Sequence, residues 1–133
     1  MKRILLDTSA YSNLMRGNNN ISKLLDEADE VYMCATVIGE LLAGFKRGSK
    51  EQDNKSVLKD FLSVTSGAVL HIDESTAERY ALILNYLKNS GTPIPTNDIW
   101  IAASAMQHGL VLLTSDQHFL SLPQIVSEIF TAL

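Results

Sequence analysis

The chain has 133 residues, of which 46% are hydrophobic and 20% charged, and its formal net charge is −4. That size suits one domain with a real core, and the acidic balance argues against a large basic nucleic-acid surface while leaving room for a small nucleic-acid site that uses metal ions. Cys34 is the only cysteine, so no internal disulfide forms and nothing points to an oxidising compartment.

The start, "MKRILLD", carries Lys2 and Arg3 as a signal peptide does. Its apolar part ends at Asp7, too early for an h-region, and no apolar run nears the roughly 18 residues of a membrane span. The expectation is a soluble, cytoplasmic protein. "RILL" (Arg3 to Leu6) reads as a short buried strand. Ser9 to Met15 reads as a helix stopped by Gly17, and "RGNNN" (Arg16 to Asn20) as a loop. Ile21 to Ala28 fits a second helix, and "VYMCA" (Val31 to Ala35) a strand. In "TVIGELLAGFKRG", Val37, Ile38, Leu41, Leu42 and Phe45 recur at helical spacing.

Lys46 to Lys55 is a polar, mixed-charge connection or helix end, and Ser56 to Leu62 continues as helix. "AVLHI" (Ala68 to Ile72) reads as a strand. Glu74 to Lys88 reads as a helix with Ala77, Ala81, Leu84 and Leu87 near one stripe. "NSGTPIPT" is a loop by its Gly and Pro content. Thr96 to His108 is a helix capped by Thr96 or Asn97 and ended by Gly109. "LVLL" (Leu110 to Leu113) is a strand, and Gln124 to Val126 a candidate for the last. Continuously apolar strands alternating with helices argue for an α/β protein with a parallel sheet covered on both faces.

Ligands in such folds sit beyond the carboxyl ends of the strands. Asp7 and Asp116 both lie at that end. Each acid also has a plain structural explanation. Asp7 can cap the helix it opens, Asp98 in a first turn is favoured by about 0.3–1 kcal/mol through the helix dipole, and Asp116 can cap a short "QHFL" turn. Glu40 can be a solvated helix residue. Its neighbours Gly39 and Gly44 cost about 1 kcal/mol each in a helix interior, which suggests that something approaches closely there. "GELLAGFK" is one residue off the spacing of a phosphate loop and lies in a helix, so it is rejected as one.

Asp7, Asp98 and Asp116 fall independently on one sheet edge, and Glu40 joins them if its helix leans over that edge. Converging carboxylates repel and raise their own pKa values, and a hard, oxygen-loving Mg²⁺ or Mn²⁺ relieves that conflict. Beyond Lys88 there is no Lys or Arg, and the only acids are Asp98, Asp116 and Glu128. Their partners must come from elsewhere in the fold, a metal or water. His71, His108 and His118 lack metal-ligand spacing and read as structural. Cys34 has no activating context, no Gly-x-Ser-x-Gly elbow is present, and Trp100, Tyr11, Tyr32, Tyr80 and Tyr86 read as packing groups.

Taken together the blocks resemble the PIN-domain ribonucleases, and within them the VapC-type toxins of bacterial toxin–antitoxin pairs. "LLDTSAYSNLMRG" is similar to their opening block with Asp7 as first acid. "TVIGELLAGFKRG" resembles the second, with Glu40, and "TNDIWIAASAMQHGLVLLTSDQHF" the third and fourth, with Asp98 and Asp116. Some members carry a further acid where this chain has Gln117 and His118.

The resemblance implies a three-layer α/β/α PIN-like domain with a mostly parallel central sheet over residues 1–133, Mg²⁺-dependent endoribonuclease activity (Mn²⁺ a possible substitute), homodimers and a cognate antitoxin. It implies that Asp7, Asp98 and Asp116 hold the metal and activate a water, while Glu40 helps hold the metal or orients that water. Ser9, Asn97, Thr114 and Ser115 are placed to hydrogen-bond a phosphate or the carboxylates. An acidic chain whose last 45 residues lack any Lys or Arg, with uncompensated carboxylates expected on its rim, suits a small antitoxin with an Arg-containing segment, since guanidinium pairs bidentately with carboxylate. Two alternatives stay open: a catalytically silent PIN-fold binding module, and another metal-dependent α/β phosphohydrolase. Against the latter, Ser9 stands where dehalogenase-like phosphatases need a second Asp, and receiver domains need a late Lys that is missing here.

Overall fold

Ile4, Leu5, Leu6, Leu112 and Leu113 are fully buried. Strands with no dry or wet side of their own need helices on both faces, and the computed structural model of the protein shows that arrangement for residues 2–65 and 69–133. The strands β1 (Arg3–Leu6), β2 (Glu30–Cys34), β3 (Val69–Leu70), β4 (Val111–Thr114) and β5 (Val126–Ile129) form one sheet. Its order is β3-β2-β1-β4-β5, and every pairing is parallel. Helices α1 (Thr8–Met15), α2 (Asn19–Glu27), α3 (Ala35–Lys46), α4 (Glu51–Val64), α5 (Glu74–Ser90) and α6 (Thr96–His108) supply the cover. The connections through β1, β2 and β3 step one way across the sheet and the return to β4 steps the other way. Right-handed crossovers therefore distribute the helices over both faces, giving three α/β/α layers.

Helix α6 is buried almost all round: Ile99, Ile101, Ala102, Ala103, Ser104 and Ala105 are all inside. The small residues at 102–105 let it lie close to its neighbours, chiefly α5. The aromatic residues pack as expected. Tyr80 stacks on Trp100 with ring centroids 4.1 Å apart, Tyr11 meets Phe61 edge-on at 5.4 Å, and Tyr32 donates to Glu30 at 2.7 Å.

Several elements differ from the sequence reading. Helix α4 begins at Glu51 and not at Ser56, because Glu51 and Asp53 in its first turn favour the dipole even though the turn has no apolar face. The last strand is Val126–Ile129, not Gln124–Val126. Its adjacent Ser127 and Glu128 break the apolar run, as an edge strand tolerates, and Lys2 pairs with Glu128 at 3.0 Å. Ala68 lies outside the described residues, while His71 and Ile72 fall beyond β3. The inner stripe of α5 runs through Thr76, Ile83 and Leu87, leaving Ala77 and Ala81 exposed. A threonine can be inside here because its hydroxyl bonds Asp73 at 3.1 Å and Gln107 at 2.5 Å. Pro95 is the N-cap residue of α6, and no side chain caps it.

The glycines of α3 serve no close approach. A Cβ on Gly39 would meet nothing within 4 Å, and one on Gly44 only the end of the Arg47 side chain at 3.9 Å.

Candidate active site

The strand order reverses between β1 and β4. In open α/β sheets that reversal opens a crevice at the carboxyl edge. Here Leu6 is in register with Leu113, and the Asp7 amide donates to the Leu113 carbonyl at 3.3 Å. Whatever follows the two strands must therefore emerge side by side: Asp7 from one, Thr114, Ser115 and Asp116 from the other. The second turn of α3 adds Glu40 and the first turn of α6 adds Asp98. The four acids line one cleft of about 700 Å³, with Thr8, Ser12 and Arg16 along its α1 wall and Ile101 among its apolar lining.

Asp7 is a helix cap and a site residue at once. It is only 6% exposed. Its Oδ1 accepts from the Ala10 amide at 2.8 Å and from the Ser9 hydroxyl at 2.7 Å. Its Oδ2 accepts from the Thr114 hydroxyl. Burial pushes the Asp7 carboxyl up, the bonds from Thr114, Ser9 and Ala10 hold it down, and the nearby Asp116 charge adds to the rise. The Thr114 hydroxyl also accepts from the Asp116 amide at 3.0 Å, and Ser9 accepts from the Ser115 amide at 3.1 Å. These bonds lock the loop after β4 to the loop after β1.

Thr114 is fully buried. Thr114→Val keeps its shape but strands the Asp116 amide and one Asp7 oxygen. The expected loss is about 1–3 kcal/mol, read by urea unfolding; an unchanged midpoint would show that the hydroxyl is dispensable.

Glu40 does lean over the edge. Its Oε1 accepts from the Thr8 hydroxyl at 2.6 Å and its Oε2 from the Asn97 amide at 3.3 Å. Asn97 is thereby committed to an acid in place of capping its helix. Asp98 is the least compensated of the four, since its carboxylate accepts no hydrogen bond among the described residues. Burial, then the charges of Asp116, Glu40 and Asp7, push it up to about 6, with His118 opposing. Asp116 accepts from the His118 amide at 2.9 Å and lies 3.1 Å from the His118 Nδ1.

The four candidate site acids, Asp7, Glu40, Asp98 and Asp116, thus all reach the cleft, and Ser9, Asn97 and Thr114 all donate to its carboxylates. Ser115 lines it. His118 was read as structural, yet ligand atoms of Asp98, Asp116 and His118 lie within 4.8 Å of one another. Its sequence spacing gave no sign of this, because Asp98 comes from another element. Thr8 and Arg16 were also missed. Thr8 sits beside Asp7 in "DTS", and its role appears only once α3 lies across α1. Cys34 stays outside the cleft lining, with burial pushing its thiol up. An oxygen-rich set with one imidazole at its rim fits a hard divalent cation.

The sequence pattern of the PIN domain matches residues 4–124. Over 121 residues the chain is 34% identical to "Toxin FitB" of Neisseria gonorrhoeae, covering 85% of this chain and 87% of that protein. Over 125 residues it is 27% identical to "Ribonuclease VapC4" of Mycobacterium tuberculosis, covering 94% and 95%. A solved member of the VapBC family of toxin–antitoxin systems, VapBC-5 from M. tuberculosis, superposes with a TM-score of 0.70 at 26% identity, covering 97% of this chain and 98% of that one.

Proposed function

The chain belongs to the PIN-domain family, and from that premise we propose that it is a metal-dependent endoribonuclease, the toxin of a toxin–antitoxin pair. The observation that carries this reading is the convergence of Asp7, Glu40, Asp98 and Asp116 in one cleft, with Asp98 pushed up to about 6. Structural carboxylates are normally paired, whereas Asp98 accepts no hydrogen bond among the described residues and would be met by a cation from outside the chain. Relatives named as a ribonuclease and a toxin point the same way.

Asp7, Asp98 and Asp116 would hold Mg²⁺, with Mn²⁺ as a substitute. The bound ion supplies Lewis-acid polarisation of a phosphate oxygen and a more acidic water. The protein's own part is placement. Ser9, Ala10 and Thr114 fix the Asp7 carboxylate. Thr8 and Asn97 aim Glu40, which orients the attacking water and takes its proton. Attack in line on phosphorus makes one P–O bond as the opposite one breaks. The Ser115 side chain, at the cleft wall, meets a phosphate oxygen. The 133 residues act as a single cytoplasmic nuclease domain, paired as a homodimer. A small antitoxin silences it by placing an Arg among the four carboxylates, where guanidinium competes with the metal for the same oxygens.

The test is inducible expression in a bacterial host of the intact chain and of Asp7→Asn, with growth followed and RNA ends mapped. The intact chain should arrest growth and leave discrete new ends, and Asp7→Asn neither. Normal growth together with inert purified protein in Mg²⁺ and in Mn²⁺ would sink the proposal.

Metal should also stabilise the fold. At about 100 times the dissociation constant the gain is about 2.7 kcal/mol, so melting curves in EDTA and in millimolar Mg²⁺ should separate clearly. Superimposable curves in both metals count against the site.

A further inference from the structure

We propose that Arg16 is a contact for a backbone phosphate of single-stranded RNA, one that neighbours the phosphate being cleaved; the inference rests on the ribonuclease reading. Arg16 closes α1 as its C-cap residue. Thr8, Ser12 and Arg16 recur at intervals of four along α1 and line the cleft together, and Arg16 is its sole Lys or Arg among the described residues. Four carboxylates share that cleft, yet the Arg16 guanidinium makes no hydrogen bond or ion pair among the described residues.

Geometry explains the missing pair. Thr8 and Arg16 stand about 12 Å apart along the helix axis, at 1.5 Å per residue, and the acids gather at the Thr8 end. The charge of Arg16 is therefore not spent on the acids. It waits, exposed, at the far end of the wall, where it also borders the neighbouring groove lined by Met15 and Phe45.

A ligand that meets both the acid cluster and Arg16 must be extended and anionic at intervals, as an RNA strand is. The chain carries a net charge of −4, and an acid-rich cleft repels a polyanion except where a cation offsets it. Guanidinium answers a phosphate with two parallel N–H···O bonds. Placed beyond the reacting group, such a contact fixes the register of the strand without taking part in bond breaking.

The experiment titrates a fluorescein-labelled pool of random single-stranded RNA, in Mg²⁺, against Asp7→Asn, which leaves the RNA uncut. It repeats the titration with Asp7→Asn/Arg16→Gln and Asp7→Asn/Arg16→Lys, between about 50 and 200 mM KCl. Loss of one phosphate contact should make the slope of log K against log salt shallower by about 0.7 in Arg16→Gln. Binding at the lowest salt should weaken about tenfold, while melting temperatures match. Arg16→Lys should keep the slope, since the slope counts charge. In the otherwise intact chain, Arg16→Gln should raise KM with kcat within about twofold.

An unchanged slope in Arg16→Gln, with Asp7→Asn binding RNA, overturns the role of Arg16 and leaves the ribonuclease reading standing. An unchanged slope with lost capture of the antitoxin assigns Arg16 to a protein partner and overturns it equally. Absence of RNA binding by Asp7→Asn, with the intact chain also leaving RNA uncut in Mg²⁺ and in Mn²⁺, removes both readings.

Discussion

In metal-free buffer near pH 7.5, Asp98→Asn should melt higher than the parent chain and yet lose RNA cleavage by about a thousandfold in Mg²⁺, the upper end for removing one electrostatic group at a reaction centre. The two effects have one cause. Burial and the charges of Asp116, Glu40 and Asp7 raise the Asp98 carboxyl from its ordinary 3.8 to about 6. The folded chain then holds that proton more tightly than the unfolded chain does. The ionised form consequently costs stability, fully so above about 6, and the cost disappears below the ordinary value. Asparagine is never ionised and escapes it.

The group is only partly buried, so screening reduces the gain to about 1 kcal/mol, or roughly 3–5 °C for a chain of this length. The gap between variant and parent should close as pH falls from 7 to 4. Calorimetry across that range decides the matter: a variant that melts lower, or a gap indifferent to pH, shows that Asp98 is not an uncompensated acid. Asp7→Asn should be equally inactive without the gain. Its Oδ2 accepts from the Thr114 hydroxyl, a bond that an asparagine NH₂ at that place cannot accept.

Phe119→Ala should be the most destabilising of the changes considered, by about 3–5 kcal/mol. Phe119 heads the fully buried side chains by size and is 1% exposed. It lies in the short 3-10 turn Gln117–Ser121, whose N-cap is Asp116. The ring therefore anchors the segment that aims a site carboxylate. Against a typical total stability of about 5–15 kcal/mol, the alanine variant should be partly unfolded at 37 °C. Phe119→Leu, costing about 1–1.5 kcal/mol, stays folded and should still lose cleavage because the Asp116 turn loosens. Urea midpoints and assays well below the melting point separate the two effects. A loss under 1 kcal/mol for alanine would show that the turn is held by something other than this ring.

Much of this protein is local and therefore legible in its sequence. Runs of branched apolar residues made "RILL" and "LVLL" strands of a doubly covered parallel sheet, and the general rule for such sheets put Asp7 and Asp116 on its functional edge. Gly109, at φ 62°, ended α6 as its position suggested. Where local signals were weak the reading slipped. The first turn of α4 is charged without an apolar face, β5 is an edge strand with two consecutive polar residues, and α5 buries a threonine whose hydroxyl is satisfied by residues the helix pattern does not contain.

The convergence of the site belonged to the tertiary structure. Glu40 and Asp98 are separated by 58 positions in sequence order, and they meet only because α3 and α6 cross the same edge. The bonds from Thr8 and Asn97 to Glu40, the approach of His118 to Asp98 and the isolation of Arg16 at the far end of α1 have the same origin. The sequence by itself determined which residue types end which strands, since that follows from burial and backbone preference over a few residues. Which of them face one another depends on strand order and helix crossing, set by packing between segments far apart in the chain.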